Sequence, residues 1–263
     1  MNPQISQAKL FIGWDVGGWD CDRNPRSRDA LVVLDAGRHL LGHPWRGNLR
    51  QTINQASSAP DFIARLLRLC EVDCIGEARA LISIDAPLAF PESLVALMAG
   101  APTPVGIDRN DFNPYLFRAT ERFLMSRGIR PLSAVKDMIG SQATKAQHVV
   151  GRFASSLLET GIWTDGAYLG VIEAYPSAAH RSESFLLLRR EFTFAQTDQD
   201  EMVWLPEFEH ADEVDALSCA LIAWMICHMP EALASPTSDI PAIEGWIWVP
   251  QDALGVHRDL IVD

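Results

Sequence analysis

Lys9-Leu10-Phe11-Ile12-Gly13-Trp14-Asp15-Val16-Gly17 (KLFIGWDVG) is an apolar run that ends on an acid and a pair of glycines. A short apolar run closed by turn residues reads as a buried strand, here ending at Asp15. Working outward, Asp29–Asp35 (DALVVLD) reads as a second strand, and Ala36-Gly37-Arg38 as a tight connection to a third around Leu40–Trp45. Short connections between three such runs predict an antiparallel meander. From Ser58 to Leu69 the apolar residues Phe62, Ile63, Leu66, Leu67 and Leu69 fall at helical spacing. Ala80–Asp85 (ALISID) is another β run, cut off by Ala86-Pro87, because proline drives the residue before it toward extended backbone.

Residues 90–166 read as mainly helical, with helices expected over Pro91–Met98, Tyr115–Ser126 and Gln142–Glu159. Tyr168–Tyr175 (YLGVIEAY) predicts a further strand, stopped by Pro176. A helix over Ser182–Glu191, a long helix over His210–His228 and a short strand or extended cap over Glu244–Pro250 complete the chain. The order βββ-α-β, helical stretch, β, helices predicts an α/β protein. Its expected form is a ribonuclease H-like mixed five-stranded sheet flanked by helices, in a single domain over residues 1–263. A helical insertion at about 90–166 separates the fourth and fifth strands. Layer rules are met by a sheet covered with helices.

At 263 residues and 48% hydrophobic content the chain can bury one substantial core. No window approaches the roughly 18 continuous apolar residues of a membrane span. Met1-Asn2-Pro3-Gln4 lacks the basic-then-apolar order of a signal peptide. Five cysteines with no CxxC pair argue against a disulfide framework. Cys219 and Cys227 fall in a helical apolar run and Cys70 and Cys74 one turn apart, so buried reduced thiols and a cytoplasmic location are expected.

The net charge of −12 weighs against a general nucleic-acid coat protein. It is unevenly spread: net −1 over residues 1–92, +4 over 93–158 and −15 over 159–263. The basic middle third is a candidate surface for a polyanion, with Arg118 and Arg122 as candidate substrate-binding residues. The competing reading is that Arg118, Arg122, Arg127 and Arg130 form the solvated side of helices.

Four segments deliver acids: Asp15 and Asp85 at strand ends, Glu173 within the YLGVIEAY strand, and Asp212 with Asp215 in the stretch His210-Ala211-Asp212-Glu213-Val214-Asp215-Ala216-Leu217. Positions i and i+3 share a helix face about 5–6 Å apart, so Asp212 and Asp215 can address one point. With the first and fourth strands parallel and adjacent, Asp15 and Asp85 would lie about one strand spacing, roughly 4.8 Å, apart. Carboxylates that close repel and raise each other's pKa, a cost that a hard dication removes. Asp15, Asp85, Asp212 and Asp215 are therefore the candidate ligands of Mg²⁺ or Mn²⁺ and the candidate catalytic residues. Paired dications of this kind activate water and stabilise a leaving oxygen in phosphodiester hydrolysis. Each acid alone has a plainer role, as turn residue or helix cap. Glu173, inside an apolar strand, needs a partner or a metal, and Arg118 or Arg122 is a candidate partner. His210 is a candidate proton shuttle or an ordinary helix N-terminal residue. Walker, HExxH and GxSxG motifs are absent from the sequence.

WDVGGWD (14–20), SIDAPLAFP (83–91), FRATER (117–122), EAYPS (173–177), HADEVDALSCALIA (210–223) and EGWIWVP (244–250) resemble the motifs of domain-of-unknown-function family 429. That family is described as predicted nucleases with a ribonuclease H-like fold. The acidic helix is also similar to the terminal motif of RuvC-type Holliday-junction resolvases. The resemblance implies metal-ligand roles for Asp15, Asp85, Asp212 and Asp215. One departure is Asp85, where resolvases of that type usually carry Glu. A metal-dependent nuclease acting on DNA or RNA is the leading expectation. A non-catalytic binding or scaffold protein of the same fold is the alternative. Asp15-Val16-Gly17-Gly18 also resembles the phosphate loop of actin-like ATPases, but those enzymes close two such domains over a nucleotide and this chain has room for one.

Overall fold

The computed structural model describes residues 5–73, 78–107, 113–196, 202–204 and 208–255. Its elements in chain order are strands β1 (Leu10–Asp15), β2 (Asp29–Asp35) and β3 (Trp45–Gly47), helices α1 (Arg50–Gln55) and α2 (Ala59–Leu69), and strand β4 (Ala80–Asp85). Helices α3 (Glu92–Met98), α4 (Ala119–Ser126) and α5 (Gly140–Phe153) follow, then strands β5 (Ser156–Glu159), β6 (Ile162–Thr164) and β7 (Leu169–Ala174). Helices α6 (Pro176–Ala179) and α7 (Glu183–Thr193), strands β8 (Phe194–Gln196) and β9 (Met202–Trp204), helix α8 (Ala211–His228) and strand β10 (Ile247–Trp248) complete it. No helix among the described residues is long and apolar enough to cross a membrane.

The main sheet is mixed and eight-stranded, in the order β3-β2-β1-β4-β7-β6-β5, with β10 also pairing β7. β1, β4 and β7 run parallel, while β2 is antiparallel to β1 and β6 to β7. The central strands are apolar on both sides, as strands covered on both faces must be, and both faces are covered. One face carries Trp14, Ile12, Ile82 and Val171 against α1, α2 and α5. The other carries Phe11, Leu81 and Ile172 against α8 and the helices outside it. Ser58 caps α2, its hydroxyl accepting from the Asp61 amide at 3.3 Å.

Two expectations are corrected. The sheet has eight strands rather than five, because residues 156–164 form a β-hairpin where a helix through Glu159 is expected, and β10 also pairs with β7; α5 stops at Phe153. The stretch 90–166 is therefore helical only up to Phe153, and its end belongs to the main sheet. The third strand also shifts, to Trp45–Gly47, and Leu40 makes only an isolated bridge to Leu34. Cys70 and Cys219 are buried and Cys227 partly so, while Cys74 lies outside the described residues.

α8 lies against β1 with almost no gap. A Cβ built on Gly13 would sit 1.8 Å from the Ala216 carbonyl oxygen and 2.4 Å from the Ala220 nitrogen. Around this contact the helix carries Ala216, Ala220 and Ala223, all buried. That close approach sets the height of α8 over the sheet, and with it the position of the acids in its first turns.

Candidate active site

The parallel pairing of β1 and β4 places Asp15 opposite Asp85 in register, at the C-terminal end of both strands. Adjacent strands are about 4.8 Å apart, so the two carboxyl groups share one small volume. By the two-residue alternation of the strand they lie on the α8 side of the sheet with Phe11, Gly13, Leu81 and Ser83. Neither has a side-chain hydrogen bond or an ion pair among the described residues. Burial, followed by the charges of Asp85, Asp215, Asp212 and Asp29, pushes the Asp15 carboxyl well above its ordinary range. Burial, with the charges of Asp215 and Glu173, pushes Asp85 up to about 8. Asp215 is raised to about 6, chiefly by burial, with Arg189 opposing and Asp212 adding to the rise. All three carboxyls are thus pushed toward the neutral form, by burial first.

Asp215 has a neighbourhood that the sequence does not announce. Its Oδ1 is 3.9 Å from His180 Nε2, and Arg189 Nη1 donates to that same nitrogen at 2.7 Å. A guanidinium can only donate, so the neutral ring carries its proton on Nδ1. Burial and Arg189 together lower the His180 pKa to about 4. His180 lies in a polar stretch 35 residues before Asp215, and no spacing or motif marks it.

Asp212 departs from the expected ligand role. Its Oδ2 accepts from Arg46 Nε at 2.8 Å and from the Arg28 amide at 3.0 Å, and its Oδ1 lies 3.3 Å from His210 Nδ1. Oδ2 takes both of these hydrogen bonds, and the residue ties the head of α8 to the β2–β3 edge. His210 is the helix cap, with Nδ1 accepting from the Asp212 amide at 3.4 Å while the Glu213 carboxylate accepts from the His210 amide at 3.0 Å.

The expected substrate-binding role of Arg118 is also corrected. Arg118 is 1% exposed and Glu173 3%. Arg118 donates from Nη1 to Glu173 Oε2 at 2.7 Å, from Nη2 to Glu173 Oε1 at 2.6 Å, and from Nε to Glu121 Oε1 at 3.0 Å. The Leu88 amide adds a third contact to Glu173, at 2.9 Å. Glu173 thus finds its partner in Arg118, one of the two arginines expected to supply it, and a guanidinium so engaged has no donor left for a phosphate. Arg122 is half-buried and donates to the Phe117 carbonyl at 2.8 Å.

A second buried ion pair supports the turn after β1. Lys145 of α5 and Asp29 of β2 are both fully buried and paired. Asp29 also accepts from Trp14 Nε1 at 3.1 Å, the Gly17 amide at 2.9 Å and the Leu49 amide at 2.6 Å. Trp19, at the far side of the same turn, donates its amide to Ser141 and its indole N–H to Thr144 of α5, at 2.9 and 3.1 Å. The glycine turn beside Asp15 is thereby bolted to α5.

Asp15 and Asp85 open into a cleft of about 260 Å³. Glu173 also reaches it, and among the described residues no Lys or Arg lines it. Asp212 and Asp215 stand outside its lining. No three His, Cys, Asp or Glu side chains among the described residues are grouped to hold a metal as they stand. The donor set nevertheless suits a hard dication: oxygen-only, uncompensated and paired in register. Mg²⁺ is commonly held by one or two carboxylates, with water and substrate oxygens filling its shell. Comparison of the chain with protein-family models, with curated proteins and with solved structures finds no match in any of the three.

Proposed function

We propose that the protein is a divalent-metal-dependent phosphodiesterase of the nuclease class, on a ribonuclease H-like fold. The single observation that carries this reading is the in-register pair Asp15 and Asp85, two uncompensated acids at adjacent parallel strand ends. The strand order β3-β2-β1-β4-β7, with β2 antiparallel in an otherwise parallel centre, supports the fold assignment. The resemblance of the WDVGG, SIDAP and HADEVDAL segments to family 429 points the same way.

In this reading Asp15 and Asp85 hold Mg²⁺ or Mn²⁺, and Asp215 adds its charge from α8, outside the cleft lining. A bound dication supplies a water of lowered pKa and offsets charge on the phosphoryl oxygens. His180 and Arg189 fix the position and charge of Asp215. Asp212, Arg46 and Arg28 hold the head of α8 in place. Glu173 and Arg118 brace the far side of the cleft.

Calorimetric titration with Mn²⁺, with and without chelator, followed by a cleavage panel of single-stranded, duplex, hybrid and branched nucleic acid, tests the proposal. Metal binding together with cleavage that Asp15→Asn abolishes supports it. Metal binding with no cleavage of any substrate favours the alternative, a binding protein that keeps the fold. No metal binding rejects the proposal.

A further inference from the structure

The cleft beside Asp15 and Asp85 has a composition that narrows its ligand. Among the described residues its charged lining is acidic, and Leu132, Ile139 and the ring of Tyr175 add apolar surface beside the polar Ser27, Gln142 and Ser177. Leu132 is 53% exposed although it is a large aliphatic side chain. The Tyr175 hydroxyl donates to the Arg130 carbonyl at 3.3 Å, and its ring adds apolar surface to the lining. At about 260 Å³ the cleft is smaller than the roughly 300–1,000 Å³ of ordinary small-molecule sites.

Polynucleotide duplexes are gripped through many phosphates, mostly by Lys and Arg. This cleft has none in its lining among the described residues, Arg118 is locked in the core, and the chain's net charge of −12 repels a polyanion. The lining therefore suits a ligand with one anionic group for a carboxylate-held metal and one flat apolar group for Leu132, Ile139 and Tyr175. Both features occur together in a nucleotide whose base is unstacked, and base–aromatic stacking contributes about 1–3 kcal/mol per base.

We infer that the Asp15–Asp85 cleft takes a single unpaired nucleotide unit, with its phosphate toward the two carboxylates and its base against Leu132 and Tyr175. This rests on the metal-dependent phosphodiesterase reading. The substrates it implies are mononucleotide esters, strand ends or flipped-out nucleotides, not the interior of a duplex.

The test is calorimetry on the full chain with three probes: Mn²⁺ alone, then thymidine 5′-monophosphate and, separately, a blunt duplex oligonucleotide, each into Mn²⁺-loaded protein. The expected result is that Mn²⁺ binds and that the monophosphate binds only when Mn²⁺ is present. Its log affinity should fall with log salt no more steeply than one phosphate contact allows, a slope of about 0.7. Leu132→Ser and Tyr175→Ala should each weaken the monophosphate roughly fivefold to tenfold, about 1–1.4 kcal/mol, while leaving Mn²⁺ affinity unchanged. Tighter duplex binding with a steep salt slope overturns the inference and leaves the metal reading standing. So does Mn²⁺ binding without monophosphate binding, or monophosphate binding that both variants leave unaltered. Failure of Mn²⁺ to bind removes both.

Discussion

Arg118 and Glu173 meet through two parallel contacts of 2.7 and 2.6 Å in a place where both are almost fully buried. One residue comes from the cap of α4 and the other from β7, 55 positions apart in sequence. The pair is the joint between the helical stretch and the sheet, and it shapes the cleft floor from behind.

Breaking that joint should be costly. Arg118→Ala leaves Glu173 and Glu121 buried without a counter-charge, and removing one partner of a buried pair typically costs about 3–5 kcal/mol. Urea denaturation should show a loss of that order for Arg118→Ala and a smaller one for Glu173→Gln. A loss below about 1 kcal/mol, the range of surface pairs, would mean that the pair is not the joint described.

Lys145 and Asp29 make the same case for the turn after β1. Lys145→Met alone should destabilise by a similar 3–5 kcal/mol, since Asp29 is then a lone charge in the core. Adding Asp29→Asn should recover part of the loss. Equal losses in the single and double variants, read by urea denaturation, would show that the charge pairing is not what matters there.

The carboxyl cluster predicts an unusual pH trend in chelator. Asp15, Asp85 and Asp215 have folded pKa values above their unfolded value near 3.8, so the folded state binds more protons. Their contribution to stability is fully present at low pH and is lost as pH rises through about 6 for Asp215 and about 8 for Asp85. Thermal melting of metal-free protein should therefore fall between pH 5 and pH 8, by several degrees. Asp85→Asn should flatten the fall and raise the melting temperature at pH 8. A rise with pH in the metal-free wild type would contradict the placement of these acids.

Mn²⁺ should reverse the trend, because a ligand that binds only the folded state stabilises it by mass action. Millimolar Mn²⁺ at pH 8 is expected to raise the melting temperature of the wild type and to leave that of Asp85→Asn nearly unmoved. Equal responses from the two proteins would place the metal elsewhere.

Asp212 and Asp215 should behave differently in spite of their spacing. Asp215→Asn is expected to abolish Mn²⁺-dependent cleavage while the fold persists. Asp212→Asn should cost about 1–3 kcal/mol of stability through the loss of its Arg46 and Arg28 contacts and leave substantial cleavage. Parallel loss of activity in both, with stability intact, would return Asp212 to the ligand set.

What the sequence conveys about this fold follows from the range of each interaction. β1, β2, β4, β7 and α8 are legible because each is an apolar run with its own period, and Asp15 and Asp85 because they end two such runs. The β5–β6 hairpin is missed because Leu157-Leu158 continues the apolar pattern of α5. Its signal is the two-residue turn Thr160-Gly161, where Gly161 takes a positive φ of 82°. The tether on Asp212 and the Lys145–Asp29 pair span 166 and 116 positions. No local pattern encodes contacts that long, so acids with opposite duties look alike in the sequence.

Gly13 has a consequence for the chemistry two residues away. The carboxyls at the ends of β1 and β4 are fixed to the sheet, whereas Asp215 rides on α8, so the spacing between the two groups depends on the height of the helix. That height is fixed where a missing side chain lets the Ala216 carbonyl rest on the strand. Position 13 therefore acts as a gauge block: a methyl group there would lift the helix and widen the acid triangle without touching any acid. In the proposed metal site, the spacing of the acids would be governed by a residue that has no functional group.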